Sequence, residues 1–174
     1  MSGLSVAARR IGIGVAAATV GSFGIGAAAW AAPMETQSVV ITIDAVTGSQ
    51  TFTATGPVNG SGFDTPLSSR PTGSVTHNVD QFTLTSGPQS GSTFTVKSVG
   101  RQSVTFDPGT CSAVISGSGN YVTTSGSGAL TQVKGAGHFT VTGTIGFMSS
   151  TGCNPNANPT SGGEVVTASG QGKV

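Results

Sequence analysis

The sequence predicts an all-β protein, a single antiparallel barrel of about eight strands, with a β-sandwich as the alternative. Apolar residues alternate with Thr and Ser over short segments, which is the pattern of strands with one buried face. Gly, Pro and Asn cluster between these segments, where turns are expected. No amphipathic helical pattern of about 11 or more residues interrupts them. Many short strands separated by regular turns are typical of sandwiches and barrels.

The individual strands follow from this alternation. In the first of them, Val39, Ile41 and Ile43 share one face, and polar residues such as Thr42 lie on the other. The predicted strands are 38–46, 51–55, 73–85, 93–99, 101–106, 112–115, 120–124, 139–147 and 164–168. Residues 58–71 contain turn formers and two prolines, which predicts a long loop or an irregular edge.

The first 31 residues have the order of a secretory signal peptide. A short polar region ends in Arg9 and Arg10, an uncharged apolar run follows, and an Ala-Trp-Ala motif ending at Ala31 supplies a cleavage site. We therefore predict cleavage after Ala31, which leaves residues 32–174 as one β-barrel domain, secreted or held at the cell envelope. The alternative is a retained anchor, since the run has about the length of a bilayer span. Its Gly and Ala content favours cleavage, so no stable membrane span is expected.

The composition argues against nucleic-acid binding and against a metal site. The chain has seven Lys and Arg against six Asp and Glu, and loss of Arg9 and Arg10 leaves five against six, a net charge of about −1. Such a chain has no basic surface to attract nucleic acid. The two histidines, His77 and His138, are far apart in the sequence and have no neighbouring thiol or histidine ligand. We predict no metal and no cofactor.

Cys111 and Cys153 are the only two cysteines, and we predict that they form a disulfide bond. An exported protein meets an oxidising environment, in which paired cysteines are usually bridged. A redox-active pair would show close spacing such as C-x-x-C, which is absent. Closing a loop of this length would stabilise the fold by roughly 4 kcal/mol in the chain-entropy model.

Three Gly-x-Gly units recur at nine-residue intervals, beginning at Gly117, Gly126 and Gly135. The calcium-binding β-roll has a similar period, but it places an Asp two residues after each unit. Here these positions hold Tyr121, Leu130 and Phe139, which offer none of the carboxylate oxygens that Ca²⁺ requires. A phosphate-binding loop is also excluded, because no helix follows. The units therefore predict glycine turns or bulges from which a strand returns to the core.

From Cys111 to Val141 the spacing reads C-x5-G-x-G-x-Y, then G-x-G-A-L, then G-x-G-x-F-T-V. This arrangement resembles a pattern in small secreted bacterial proteins. It is also similar to the glycine-rich part of plant dirigent proteins and allene oxide cyclases, although Leu130 stands where an aromatic residue is usual. The resemblance implies an eight-stranded antiparallel barrel with a lumen and a bacterial source. It implies no particular reaction for this chain.

Candidate functional residues are ionisable groups on or beside the predicted strands. The catalytic candidates are Asp44, Asp80, Arg101 and Glu164, and the ligand-binding candidates are Tyr121 and His138. Confinement in a barrel lumen shifts pKa values, so two or three such groups pointing inward would form a small acid-base site. The alternation of residues does not decide which of them point inward.

Three hypotheses of function follow. The first is an exported β-barrel protein without an assigned activity, which binds a small apolar ligand in its lumen or acts at the cell envelope. The second is a dirigent- or cyclase-like isomerase that acts on a hydrophobic intermediate in the lumen. The third is a structural or adhesive envelope protein. A cavity of roughly several hundred cubic ångström that combines apolar walls with two or three convergent ionisable groups would favour the enzyme. A barrel filled by its own side chains would exclude both hypotheses that need a lumen.

Overall fold

The computed structural model describes residues 33–150 and 152–174, in which almost all regular structure is β. The predicted signal peptide and its cleavage site lie outside these residues. The strands are β1 Glu35–Asp44, β2 Gln50–Thr55, β3 Gly60–Thr72, β4 Val75–Leu84, β5 Thr93–Asp107, β6 Ser112–Gly126, β7 Lys134–Gly146, β8 Met148–Ser149, β9 Gly152–Cys153 and β10 Ser161–Lys173. A single 3-10 turn, Gly128–Leu130, lies between β6 and β7. No helix in this part of the chain has the length and hydropathy needed to cross a bilayer.

Eight of the strands close into one antiparallel barrel in the order β1-β10-β7-β6-β5-β4-β3-β2 and back to β1. The predicted barrel is confirmed, and the alternative of an open sandwich is wrong. Consecutive strands are neighbours everywhere except at β10, which crosses over the β8–β9 hairpin to pair with both β7 and β1. Closure leaves the central part of the sheet without an edge strand.

The core is the inside of this barrel, because every second residue of each strand points inward. On β4 the alternation is complete: Asn78, Asp80, Phe82 and Leu84 are buried, and the residues between them are partly exposed. Phe82 stacks on Phe94 with ring centroids 4.9 Å apart, and Phe52 meets Phe82 edge-on at 5.1 Å. These aromatic contacts stabilise the barrel beyond the area that they bury.

Of the two alternatives predicted for residues 58–71, the long loop is wrong, because most of the segment belongs to β3. The irregular edge is confirmed, since the pairing of β3 with β4 shifts register between Pro66 and Ser68. Beyond Phe63 this strand pairs with β4 but not with β2, so one of its edges has no paired strand among the described residues. Pro66 and Pro71 lie on this part of the strand. A proline has no N–H to offer to another chain, and prolines are therefore tolerated on an edge that must stay unpaired.

Strands β5 and β6 are longer than predicted. The predicted breaks at Gly100 in β5 and between 115 and 120 in β6 do not exist, since each strand continues for 15 residues. The prediction of a turn or bulge at the first glycine unit is also wrong, because Gly117 and Gly119 lie in the middle of β6, paired with both neighbouring strands. The third unit, Gly135 and Gly137, also lies inside a paired strand, β7, so only the second unit lies at a turn. Of the core positions predicted from the period, Leu130 and Phe139 are buried and Tyr121 is partly buried.

The predicted disulfide between Cys111 and Cys153 is confirmed, with Cα atoms 5.6 Å apart. Cys111 is fully buried at the start of β6, and it has a positive φ of 50°. Its carbonyl accepts a hydrogen bond from the Phe147 N–H at 2.9 Å. The disulfide therefore holds the β8–β9 hairpin, which is not part of the barrel sheet, to the end of the barrel at which β6 begins.

Removal of this disulfide is expected to destabilise the protein by up to roughly 4 kcal/mol, because the unfolded chain gains the freedom of the opened loop. The test is urea unfolding of the Cys111→Ser/Cys153→Ser variant beside the oxidised parent. A fall in the unfolding midpoint at unchanged slope is expected. Equal midpoints for the two proteins would contradict the prediction.

Candidate functional site

The barrel contains a cavity of about 70 Å³, the volume that the centre of a water molecule can occupy. Its lining runs from Ile43, deep in the barrel, to the exposed Lys134 at the end where β7 begins. Most of the wall is apolar and is formed by Val39, Ile41, Val58, Phe82, Phe94, Val96, Phe139, Val166 and Ala168, among others. The space corresponds to about five or six water-sized groups, which is the size of one substituted ring.

Two carboxyl groups, those of Asp64 and Asp80, belong to the polar part of the wall. Asp64 on β3 is paired with Phe82, and Asp80 lies two residues before Phe82 on β4, so the aspartates are diagonal neighbours on the inner face. Burial raises the pKa of Asp64 to about 7, and the backbone N–H of Thr65 opposes this shift. Burial and, to a smaller extent, the charge of Asp64 raise the pKa of Asp80 to about 8. Both carboxyl groups therefore titrate near neutral pH.

Tyr121 on β6 also lines the cavity, and burial raises the pKa of its hydroxyl. Across the sheet its neighbours are Ser98 on β5 and Gly137 on β7. The Tyr121 hydroxyl and the Asp64 Oδ1 are both buried without a hydrogen-bond partner among the described residues. A buried polar atom without a partner costs about 1–3 kcal/mol, so these two atoms are poised to bind a polar group.

Gln37 on β1 shapes the wall near the mouth of the cavity. Its side chain donates hydrogen bonds to the carbonyls of Thr55 and Val58 at 2.9 and 3.1 Å, and its Oε1 accepts one from the Val58 N–H at 2.8 Å. Val58, which precedes β3, is thereby held against the core. Gln37 is 6 % exposed and is satisfied within the protein, so its role is to position the wall.

The cations that the described residues contribute to the cavity lie at its mouth. Among the residues that line it, Lys134 and Lys173 are basic, and both are located at the strand ends where β7 begins and β10 finishes. No group of three or more His, Cys, Asp or Glu side chains within residues 33–150 and 152–174 is arranged to hold a metal ion. The polar chemistry of the inner cavity is thus provided by carboxyl and hydroxyl groups.

Glu164, another candidate, is buried inside the barrel but does not line the cavity. It is 1 % exposed, and its Oε2 accepts a hydrogen bond from the Gln102 side chain at 3.2 Å. Its Oε1 has no partner among the described residues. Burial raises the pKa of Glu164 to about 7 against the opposing effect of Gln102. Glu164 and Asp80 therefore form two separate buried sites.

The remaining candidates lie on the outside of the barrel. Arg101 and His138 are exposed on β5 and β7. Asp44 is exposed at the end of β1, where one carboxylate oxygen accepts hydrogen bonds from the N–H groups of Val46 and Thr47, both at 2.8 Å. These bonds lower its pKa and define it as a turn-capping residue. The structure thus brings only Asp80 and Tyr121 of the predicted set to the cavity.

Asp64 is the cavity residue that the sequence did not predict. In β3 the usual pattern is inverted: Phe63 points outward and is 55 % exposed, while Gly62 and Asp64 face inward. Hydrophobic alternation therefore indicates the wrong face. Asp64 is two residues from Gly62, so in an extended strand both residues lie on the same face. This spacing is the only signal in the sequence that relates the position of Asp64 to that of Gly62.

The sequence matches no known family model, no curated protein and no solved structure. The functional argument therefore rests on the cavity and on its chemistry.

Proposed function

We propose that this chain is an exported β-barrel protein that binds a small, mainly apolar molecule in the cavity of its barrel. The observation that carries the proposal is the combination of an apolar wall with two carboxyl groups and a tyrosine hydroxyl at one side. Ligand sites typically have this composition, in which apolar surface supplies affinity and a few polar groups fix orientation. The disulfide supports export, since such bonds persist in oxidising compartments.

Filling the cavity is expected to abolish ligand binding. Val96 lines the cavity on β5, so Val96→Phe places a ring in the space that a ligand would occupy. Binding of benzyl alcohol, followed by NMR titration, should weaken at least tenfold. The matched control is Val114→Phe on β6, where Val114 is 53 % exposed on the outer face. Equal binding by Val96→Phe, Val114→Phe and the parent would refute the cavity as the site.

A second candidate function is an isomerase or cyclase that acts in the same lumen. One observation favours it: the pKa values of Asp64 and Asp80 are about 7 and 8, close to the pH at which a general acid or base works best. The resemblance to dirigent proteins and allene oxide cyclases, which implies a barrel of this architecture, supports the same proposal. The small volume of the cavity limits such a substrate to about the size of one ring.

A further inference from the structure

The polar side of the cavity is rich in hydrogen-bond acceptors that are not used within the protein. We call this side, formed by Asp64, Asp80 and Tyr121, the acidic wall. The Asp64 Oδ1 and the Tyr121 hydroxyl are buried and have no hydrogen-bond partner among the described residues. A polar group that enters the cavity can supply the hydrogen bonds that these two atoms lack.

The acidic wall also places two carboxyl groups close together, away from the cations that line the cavity in the described part of the chain. As diagonal neighbours on adjacent strands, Asp64 and Asp80 have Cα atoms about 7–8 Å apart. Within residues 33–150 and 152–174, the basic residues that line the cavity are Lys134 and Lys173, and both are at its mouth. One small group inserted at the wall could thus be within reach of both carboxyl groups.

We propose that the ligand of this cavity is an amine: a small apolar molecule whose protonated amino group binds at the acidic wall while its apolar part contacts Phe82 and Phe94. The inference rests on the proposed function and names the chemical class of the ligand. An ammonium group offers three N–H donors, which matches a wall of acceptors, and its charge attracts both carboxylates. Phe82 and Phe94 both line the cavity, and their rings offer apolar surface to such a ligand.

Other ligand classes fit less well. A neutral alcohol of the same shape brings one O–H donor and no charge, so it would leave part of the wall unsatisfied. A carboxylate would meet two acidic groups in a site of low polarity and would be repelled. The raised pKa values of Asp64 and Asp80 agree with this ranking, because both carboxyl groups are destabilised as anions until a cation arrives.

The test compares three probes with one phenyl ring, the isosteric pair benzylamine and benzyl alcohol and the anion benzoate, by isothermal titration of the purified protein at about pH 8. We expect benzylamine to bind at least tenfold more tightly than benzyl alcohol, and benzoate to bind most weakly. Asp80→Asn should remove the preference for benzylamine and retain binding of benzyl alcohol. The matched control is Asp44→Asn, which makes the same change of charge at an exposed turn and should retain the preference.

A second measurement follows protons rather than affinity. Binding of benzylamine should release protons from the acidic wall, which is detected by repeating the titration at about pH 7 in buffers of different ionisation enthalpy. Benzyl alcohol should release none. The titratable groups that face the ligand are Asp64, Asp80, Tyr121 and the mouth residues Lys134 and Lys173. If Asp80→Asn does not fold, Asp64→Asn takes its place.

The outcomes separate the two proposals. Equal binding of benzylamine and benzyl alcohol, both weakened by Val96→Phe, would overturn the amine inference and leave the proposed function standing. Loss of the preference in Asp44→Asn as well as in Asp80→Asn would also overturn the inference, because overall charge would then explain it. Failure of all three probes to bind would overturn both proposals.

Discussion

The protein is expected to lose several kcal/mol of stability as the pH rises from about 4 to about 8. Three buried carboxyl groups cause this effect: burial raises the pKa of Asp64 and Glu164 to about 7 and that of Asp80 to about 8. In the unfolded chain these groups ionise near pH 4. Between the two ranges the folded protein holds protons that the unfolded chain has lost.

The sign of the effect follows directly. Because the folded state binds more protons over this range, the free energy of unfolding decreases with pH, and the contribution is fully present below about pH 4. It is lost as the pH rises through 7 for Asp64 and Glu164 and through 8 for Asp80. Each unit of pKa shift corresponds to about 1.4 kcal/mol.

Two exposed aspartates act in the opposite direction at lower pH. Backbone hydrogen bonds lower the pKa of Asp44, through the N–H groups of Thr47 and Val46, and of Asp107, chiefly through that of Gly109. Their contributions are present above about pH 4 and are lost on further acidification. The maximum of stability is therefore expected at about pH 4–5, below the neutral range.

Urea unfolding at about pH 5 and about pH 8 measures the effect. We expect a lower midpoint at the higher pH, and we expect Asp80→Asn to raise the midpoint at pH 8 and reduce the difference between the two conditions. Asp44→Asn, which changes an exposed carboxylate, should leave that difference unchanged. A midpoint that increases from pH 5 to pH 8 would contradict the prediction. It would show that the pKa values of the buried carboxyl groups are not raised in the folded protein.

Much of the fold is predictable from the sequence, because alternation and turn chemistry are local signals. The pattern of Val39, Ile41 and Ile43 identifies β1, and a chain with two cysteines and an apparent export signal predicts the disulfide. Prediction fails at β3, where the inner positions hold Gly62 and Asp64 and the outer face carries an exposed Phe63. A hydrophobic pattern can identify the buried face only where that face is hydrophobic.

The candidate site is predictable in part for the same reason. Asp80 is one of the predicted catalytic candidates, and the structure places it on the inner face of β4 with Phe82 and Leu84. Asp44 lies on the polar face of β1, opposite Ile41 and Ile43, and its exposure agrees with that pattern. Which inner carboxyl group reaches the cavity depends on the register of strands that are distant in the sequence. That information is long-range, and no local pattern contains it.

Glycine has two meanings in this sequence, and local rules recognise only one of them. At Gly128 a positive φ of 61° accompanies a turn. Gly100 and Gly119, by contrast, lie inside paired strands, where a Cβ would approach the ring of Phe139 to 2.8 and 2.7 Å, respectively. The Phe139 ring thus packs directly against the backbone of these two glycines. Local rules predict a strand break at Gly100 and Gly119. The residue that requires the absence of a side chain there, Phe139, is on another strand and is invisible to such rules.

Gly119→Ala is accordingly expected to cost about 5 kcal/mol or more, at the severe end for a single substitution. The added Cβ would lie 2.2 Å from the Val99 carbonyl oxygen, 2.6 Å from the Gly100 Cα and 2.7 Å from the Phe139 ring. Two of these contacts are with backbone atoms of β5, so a change of side-chain rotamer cannot relieve them. Relief requires β5 and β6 to separate where they are paired.

The matched control is Gly135→Ala on β7, a glycine whose added Cβ would come no closer than 3.3 Å to another atom. It makes the same chemical change and should cost about 1 kcal/mol or less. The comparison is made by urea unfolding, with the double variant Gly119→Ala/Phe139→Leu as a third protein. If the overlap with the backbone dominates, the smaller side chain at 139 does not restore stability. Full rescue would instead show that the ring of Phe139 is the reason why position 119 requires glycine. Equal losses of stability in Gly119→Ala and Gly135→Ala would show that the close approach of β5 and β6 is not the reason.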